Sequence, residues 1–273
     1  MGKQKVEVYK GRSNGCLWMI LLPIFGLCFI VVACMGTITA ALAGGLISEC
    51  DVREGNFASV LEGAESARVE IVTGIAEINI TPLTDSNNLF EADIRYCGEV
   101  DFSAGGDDVR TIRLEQVNTD GNIFGTFNIF GVGEGNELVW NIGLAEGVPI
   151  DLDLESGIDN ANLDLSDVTL AELTSETGVG EVVLSLPNPV ESYDVNLESG
   201  VGDITINLPE GAAVRVEADL GIGDIDAANL TQISGDGDGP GSQNSVWESD
   251  NYAEADERIT ILINGGVGDI TIR

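Results

Sequence analysis

The 273-residue chain has no histidine, few basic residues and few aromatics. Each shortage excludes something. Without histidine there is no His general base, no Ser–His–Asp triad and no His-ligated zinc. Twelve Lys and Arg against 46 Asp and Glu leave a net charge of −34, so binding nucleic acid by phosphate neutralisation is out of reach. Aromatics make up 5% of the chain, and no long loop carries an aromatic platform of the kind a polysaccharide-cleaving enzyme uses. What is present in quantity is glycine, 35 residues, the mark of many turns and a repetitive β-protein.

The charge is segregated. Lys3, Lys5, Lys10 and Arg12 hold all the basic charge before Cys50, and from Asp51 onward 44 acidic residues face eight arginines. Between these regions, Gly15 to Ser48 contains no charged residue. About 20 apolar residues cross the hydrocarbon core, so 15–48 is long enough for one tilted transmembrane helix and too short for a comfortable hairpin. The basic tail, 1–14, puts the N-terminus in the cytoplasm and the acidic remainder outside. The run is about twice the apolar core of a cleaved signal peptide. Val31-Val32-Ala33-Cys34 has the look of a lipobox, which leaves Cys34 as a lipidation site as the alternative to an uncleaved anchor. Met35 to Ile47 stays apolar, however, where a mature lipoprotein turns polar.

Of five cysteines, Cys16, Cys28 and Cys34 lie in the apolar run, where a thiol acts as a small apolar group. Cys50 and Cys97 lie outside it. An oxidising exterior permits a bridge between them; two unpaired thiols is the other reading.

The strongest signal is internal repetition. Six segments align on one glycine: GIAEINI from Gly74, GIDNANLDL from Gly157, GVGEVVLSLP from Gly178, GVGDITINLP from Gly200, GIGDIDAANL from Gly221 and GVGDITI from Gly266. The four from Gly157 to Gly221 recur every 21–22 residues. Alternate residues before the glycine are apolar or small, as in Val195 and Leu197. After it, apolar residues fall one, four, six and eight places on, as in Val201, Ile204, Ile206 and Leu208. Alternation marks a strand with one buried face. Its parity flips between the first and fourth places, which requires a bend, and Gly-x-Gly supplies the freedom for it. Each repeat is thus two short strands and a corner, unable to bury its apolar face alone. The constant period favours an all-β solenoid of 21–22-residue repeats over 146–273, each coil about 4.8 Å above the last; an antiparallel sandwich would alternate similarly. Residues 49–145 are less regular. All phenylalanines precede position 131, so this N-terminal β-subdomain has the bulkier core.

The stretch LVWNIGLAEGVPIDLDLESGIDNANLDL, followed by GVGEVVLSLP and GVGDITINLP and closed by VWESDNYAEADERITILINGGVGDITI, resembles the toastrack-type domains of LiaF-like cell-envelope stress proteins and adhesin-type proteins with the same repeat. The likeness spans roughly 55–273. It implies a right-handed, β-helix-type stack in an extracytoplasmic or membrane-associated setting, with no established catalytic residues. One span in place of LiaF's multi-span membrane region weakens any direct transfer of an antibiotic-response role.

Several candidate sites follow. Glu77, Glu181, Asp203, Asp224 and Asp269, with Asn160, occupy matching places and would stack as an acidic ladder, a weak calcium row or a solvated edge of turn residues. Asp236-Gly-Asp238-Gly alternates like a calcium loop but has Trp247 where an EF-hand needs its bidentate Glu. The Gly-x-Gly copies lead into strands rather than helices, which excludes nucleotide binding. Paired carboxylates could in principle cut glycosides, yet the abundance of acids makes any pair uninformative. IFGTFNIFG, 123–131, is either a contact loop or a core hairpin. The expectation is a non-enzymatic membrane-anchored module with no cofactor or metal, holding the bilayer through 15–48 and offering a stacked surface to a protein or cell-wall partner. Such a module is an envelope-stress accessory or, alternatively, a surface adhesin or weak calcium-binding element.

Overall fold

The computed structural model describes residues 51–117, 137–158, 160–235 and 243–273. The apolar run 15–48, Cys34, Cys50, the 123–131 segment, Asp236 and Asp238 lie outside the described residues. Among those described there are strands and turns only, and no helix is long and apolar enough to cross a membrane.

In chain order the strands are β1 (Val52–Val60), β2 (Ser66–Ile75), β3 (Glu77–Leu83), β4 (Asn88–Cys97), β5 (Glu99–Gly105), β6 (Val109–Val117), β7 (Val139–Ala145), β8 (Ile150–Ile158), β9 (Ala161–Asp164) and β10 (Leu170–Val179). There follow β11 (Val182–Ser185), β12 (Tyr193–Val201), β13 (Ile204–Asn207), β14 (Val214–Ile222), β15 (Ile225–Ala227), β16 (Thr231–Gly235), β17 (Gln243–Glu248), β18 (Ile259–Val267) and β19 (Ile270–Ile272). One sheet runs β1-β4-β7-β3-β9-β11-β13-β19-β15; the other runs β16-β17-β14-β18-β12-β10-β8-β2-β6-β5.

Each repeat gives its long strand to one sheet and its short strand to the other, with the glycine corner between. The repeats pair in parallel and in register: Ser175 opposes both Leu154 and Leu197, and Leu184 opposes both Leu163 and Ile206. An antiparallel meander is therefore not how these repeats join. Antiparallel pairing is confined to the flanks, at β1–β4–β7, β5–β6 and β14–β17–β16.

The alternation read in the sequence sets the core. Val195, Leu197, Ile204 and Ile206 are at most 3% exposed and belong to one apolar cluster filled from both sheets. Burying each such side chain contributes roughly 1.5–3 kcal/mol. The N-terminal part fills its share with bulk: Trp140 and Phe90 are fully buried, and Phe102 lies against both Phe57 and Phe90 at 5.1 and 6.0 Å between ring centres. Tyr193 buries its ring and donates its hydroxyl to Pro187 O at 2.7 Å; burial pushes its pKa up.

Spatial order departs from chain order at the C-terminus. β18 pairs with β12 on one side and β14 on the other, and β19 sits likewise between β13 and β15. After β13 the chain leaves a slot, builds β14–β17 beyond it, and returns to fill the slot with its last repeat. Ile259, Ile261, Ile263, Ile270 and Ile272, at most 1% exposed, complete the core there.

Candidate functional site

Stacking in register turns each repeat position into a row. Counting from the aligned glycine, five rows follow one another around the corner: an acidic row two places before, a buried hydroxyl row one place before, the glycine row, an apolar row one place after, and a second acidic row three places after.

The glycine row exists because the backbones approach closely. A Cβ on Gly178 would lie 2.3 Å from Gly157 O, and one on Gly266 would lie 2.2 Å from Gly200 O. The second glycine of the corner makes the turn itself. Gly202 has φ +147° and Gly268 +146°, values that L side chains rarely adopt, and a Cβ on Gly202 would overlap Gly180 O at 1.7 Å. Here the chain changes direction and inward parity passes from Ser199 to Ile204.

The acidic ladder forms in the spatial order Asn160–Glu181–Asp203–Asp269–Asp224, with Glu77 on the rung beyond Asn160. Its chemistry is largely structural. Asp203 Oδ1 accepts the Asp269 N–H at 2.8 Å, Asp269 Oδ1 accepts the Asp224 N–H at 2.9 Å, and Asn160 Oδ1 accepts the Glu181 N–H at 3.2 Å. Each carboxylate or amide thus satisfies a corner N–H of its neighbour, the kind of local bond for which Asp and Asn are favoured at turns. Among the described residues no group of three acidic or thiol side chains is arranged to hold a metal ion.

Three rows escaped sequence reasoning as rows. The first is Glu155–Glu176–Glu198, continued by Asn264 and Asp219, all exposed and directly opposed in the ladder. The second is the buried Thr73, Ser156, Thr177 and Ser199. The third is the apolar residue just after the glycine. It reads in sequence as part of the core pattern, but the corner turns it outward: Ile158, Val179, Val201, Val267 and Ile222 are 42, 47, 47, 43 and 62% exposed. The repetition of glutamate two places before each of three glycines was the available signal for the first row.

Grooves flank this apolar ridge. One, of about 450 Å³, runs over the glycine row between Glu155, Glu176 and Glu198 on one bank and the corner on the other. A second, of about 520 Å³, is lined by Ile75, Ile158 and Val179 together with Glu77 and Asn160. A third concavity lies on the outer face of β1, β4 and β7, near Asn56, Asp93, Asn141 and Glu91. Hydrogen bonds from Ser86 (2.6 Å) and Asn88 (2.9 Å) hold the Glu91 carboxyl below its ordinary pKa.

The cations lie elsewhere. Arg113 pairs with Glu70 and Glu115, and Arg215 with Glu217 and Glu248; these contacts raise both guanidinium pKa values further. No basic residue occurs between Arg113 and Arg215. Of the two exterior cysteines, Cys97 is disulfide-bonded, and Val52, two residues after Cys50, opposes it in the β1–β4 ladder.

Comparison with known proteins agrees with this architecture. The family model described as the N-terminal domain of toast_rack matches residues 48–207, and the model described as "Cell wall-active antibiotics response LiaF, C-terminal" matches residues 157–272. No curated protein matches the chain. Among solved structures, "a putative cell adhesion protein from Clostridium sporogenes" is similar over 81% of this chain and 99% of its own, at 24% identity and a TM-score of 0.68, a likeness of fold. "A putative adhesin from Bacteroides fragilis" aligns over 82% of this chain and 97% of its own at 13% identity, and its TM-score of 0.29 carries no argument. The matched families are non-catalytic envelope domains, and this protein is non-enzymatic. With more than half its length matched, from the first exterior strand through the fourth glycine repeat, the chain belongs to the toast_rack family.

Proposed function

We propose that this protein is a membrane-anchored interaction module of the cell envelope, a right-handed β-solenoid whose stacked repeats hold a fixed pattern of surface rows against a protein or wall-polymer partner. In this reading residues 1–14 are a cytoplasmic tail, 15–48 the membrane helix, 49–145 an N-terminal β-subdomain and 146–273 the repeats. In the same reading Cys50 is the partner of Cys97, a bridge that would tie the start of β1 to the end of β4. The observation that carries the reading is the in-register stack: it gives an array of chemically similar side chains along one corner, suited to recognition. The family description naming LiaF supports a role as an accessory of an envelope-stress system.

A second reading, surface adhesion, is favoured by the fold shared with the Clostridium sporogenes protein. Photo-crosslinking from exterior rungs of the full-length protein in living cells separates the two. A crosslinked membrane protein of the same cell supports the accessory role, whereas loss of attachment on deletion supports adhesion. The absence of both a crosslink and an attachment defect would defeat the proposal. Proteolysis of intact cells tests the topology: the exterior domain should be cut while a tag on residues 1–14 stays protected.

A further inference from the structure

The ridge formed by Ile158, Val179, Val201, Val267 and Ile222 has no role in the core. The inward positions of the same repeats are already filled by residues such as Val195, Leu197, Ile204 and Ile206. Yet every repeat keeps a Val or Ile there, in strict register: Val179 opposes Ile158 and Val201, and Val267 opposes Val201 and Ile222. Ile75 extends the ridge by one rung next to Ile158. Six rungs at about 4.8 Å cover about 24 Å, the length of seven or eight extended residues.

Acidic rows border the ridge on both sides. Glu155, Glu176 and Glu198 stand along one bank, and Glu181, Asp203, Asp269 and Asp224 along the other. Like charges directly opposed in a ladder are unfavourable, and Arg68, Arg113 and Arg215 form their ion pairs with Asp151, Glu70, Glu115, Glu217 and Glu248 rather than with these carboxylates. The glycine row keeps the groove floor free of side chains, so a ligand would reach the backbone between the Glu bank and the ridge. Charge selects the occupant. A second copy of this chain, an anionic lipid surface or a nucleic acid would be repelled by the same rows. A divalent ion finds no three-ligand cluster among the described residues. A polypeptide with basic residues alternating with β-branched apolar ones satisfies both features at once.

We propose that this corner is the docking surface for an extended protein segment rich in Lys or Arg that alternates with Val or Ile, laid along the stack with its apolar face on the Ile/Val ridge, while the long Lys or Arg stems that leave its other face bend over the strand edges to bring their charges to the acidic banks. The proposal rests on the interaction-module reading and names the partner's chemistry.

The test is fluorescence anisotropy with the full-length protein in nanodiscs of neutral lipid and the labelled peptide Lys-Val-Lys-Val-Lys-Val-Lys-Val. The peptide Lys-Ser-Lys-Ser-Lys-Ser-Lys-Ser, of equal charge, is the charge-only control and a peptidoglycan fragment is the competitor. The valine peptide should bind, and more tightly than the serine peptide. Raising salt from 50 to 500 mM should weaken it steeply, because surface charges are screened. Val179→Thr with Val201→Thr keeps the β-branched shape and should weaken the valine peptide about tenfold while leaving the serine peptide unchanged. Glu176→Gln with Glu198→Gln should weaken both peptides. Equal binding of the serine peptide, indifference to the threonine pair, displacement of binding by the peptidoglycan fragment or no binding at all would each overturn the proposal. If crosslinking still captures a partner through another face, the module reading survives that failure.

Discussion

The N-terminal strands and the glycine repeats share two sheets and one core, yet they solve the packing problem differently. Around β1, β4 and β7 the pairing is antiparallel and the interior is filled by Trp140, Phe90 and Phe102. From β8 onward the pairing within each repeat row is parallel, the interior is Val, Ile and Leu, and glycine lines the corner. A few large side chains hold the first region. In the second, stability is spread over equivalent small contacts, and any rung that cannot lie flat on its neighbour disturbs both sides. The arginines divide the same way, clustering at the two flanks and leaving the middle rungs purely acidic.

The sharpest way to break the repeat region is at its corner. Gly202→Ala should cost about 4 kcal/mol or abolish folding, because the new Cβ collides with Gly180 O at a φ of +147°. Gly147→Ala is the control in a loop: φ is also positive at +77°, but nothing lies within 4 Å, so about 1–2 kcal/mol is expected. Urea unfolding of both variants measures the gap, and equal losses would mean that stacking does not constrain the corner.

Core truncation comes next. Trp140→Ala should lose about 3–5 kcal/mol, whereas Ile206→Val should lose about 0.5–1.5 kcal/mol. Comparable losses would contradict the contrast between a few bulky anchors and many small contacts. At the acidic ladder the effect is smaller. Asp269→Ala removes the acceptor for the Asp224 N–H and should cost about 1 kcal/mol. Asp269→Asn keeps an acceptor and relieves like charge, so its Tm should match or exceed that of the parent. A drop equal to alanine's would show that the charge itself is needed.

The smallest effect lies back in the N-terminal region. The pKa of Glu91 is lowered by Ser86 and Asn88. Its stabilisation is therefore present above the unfolded-state carboxylate range and is lost as pH falls through the lower folded value. Melting curves taken below about pH 5 should show Glu91→Gln losing less stability with acid than the parent. Identical acid profiles would remove this contribution.

Much of this was legible beforehand. The period, the alternation and the parity flip at Gly-x-Gly all report one buried face, and periodicity carries that information directly. The acidic ladder was legible as a set of matching positions. Its purpose was not, because a carboxylate that accepts a neighbour's N–H cannot be told from a solvated one until the rungs are stacked. Val201 and its equivalents were misleading in the other direction: they continue the apolar pattern in sequence, but the bend that changes parity falls after them and leaves them outside. Nor does chain order reveal that β18 lies between β12 and β14, since the slot it fills is made by a strand that comes earlier.

The sequence alone determined that this would be an acidic, glycine-cornered stack of two-strand repeats, because strand periodicity and the steric demands of a close corner are local properties. Tertiary structure decided which apolar residues face water, which rungs are neighbours and which carboxylates share a bank. Those depend on register between segments far apart in the chain, where pairing energy rather than local preference chooses the partner.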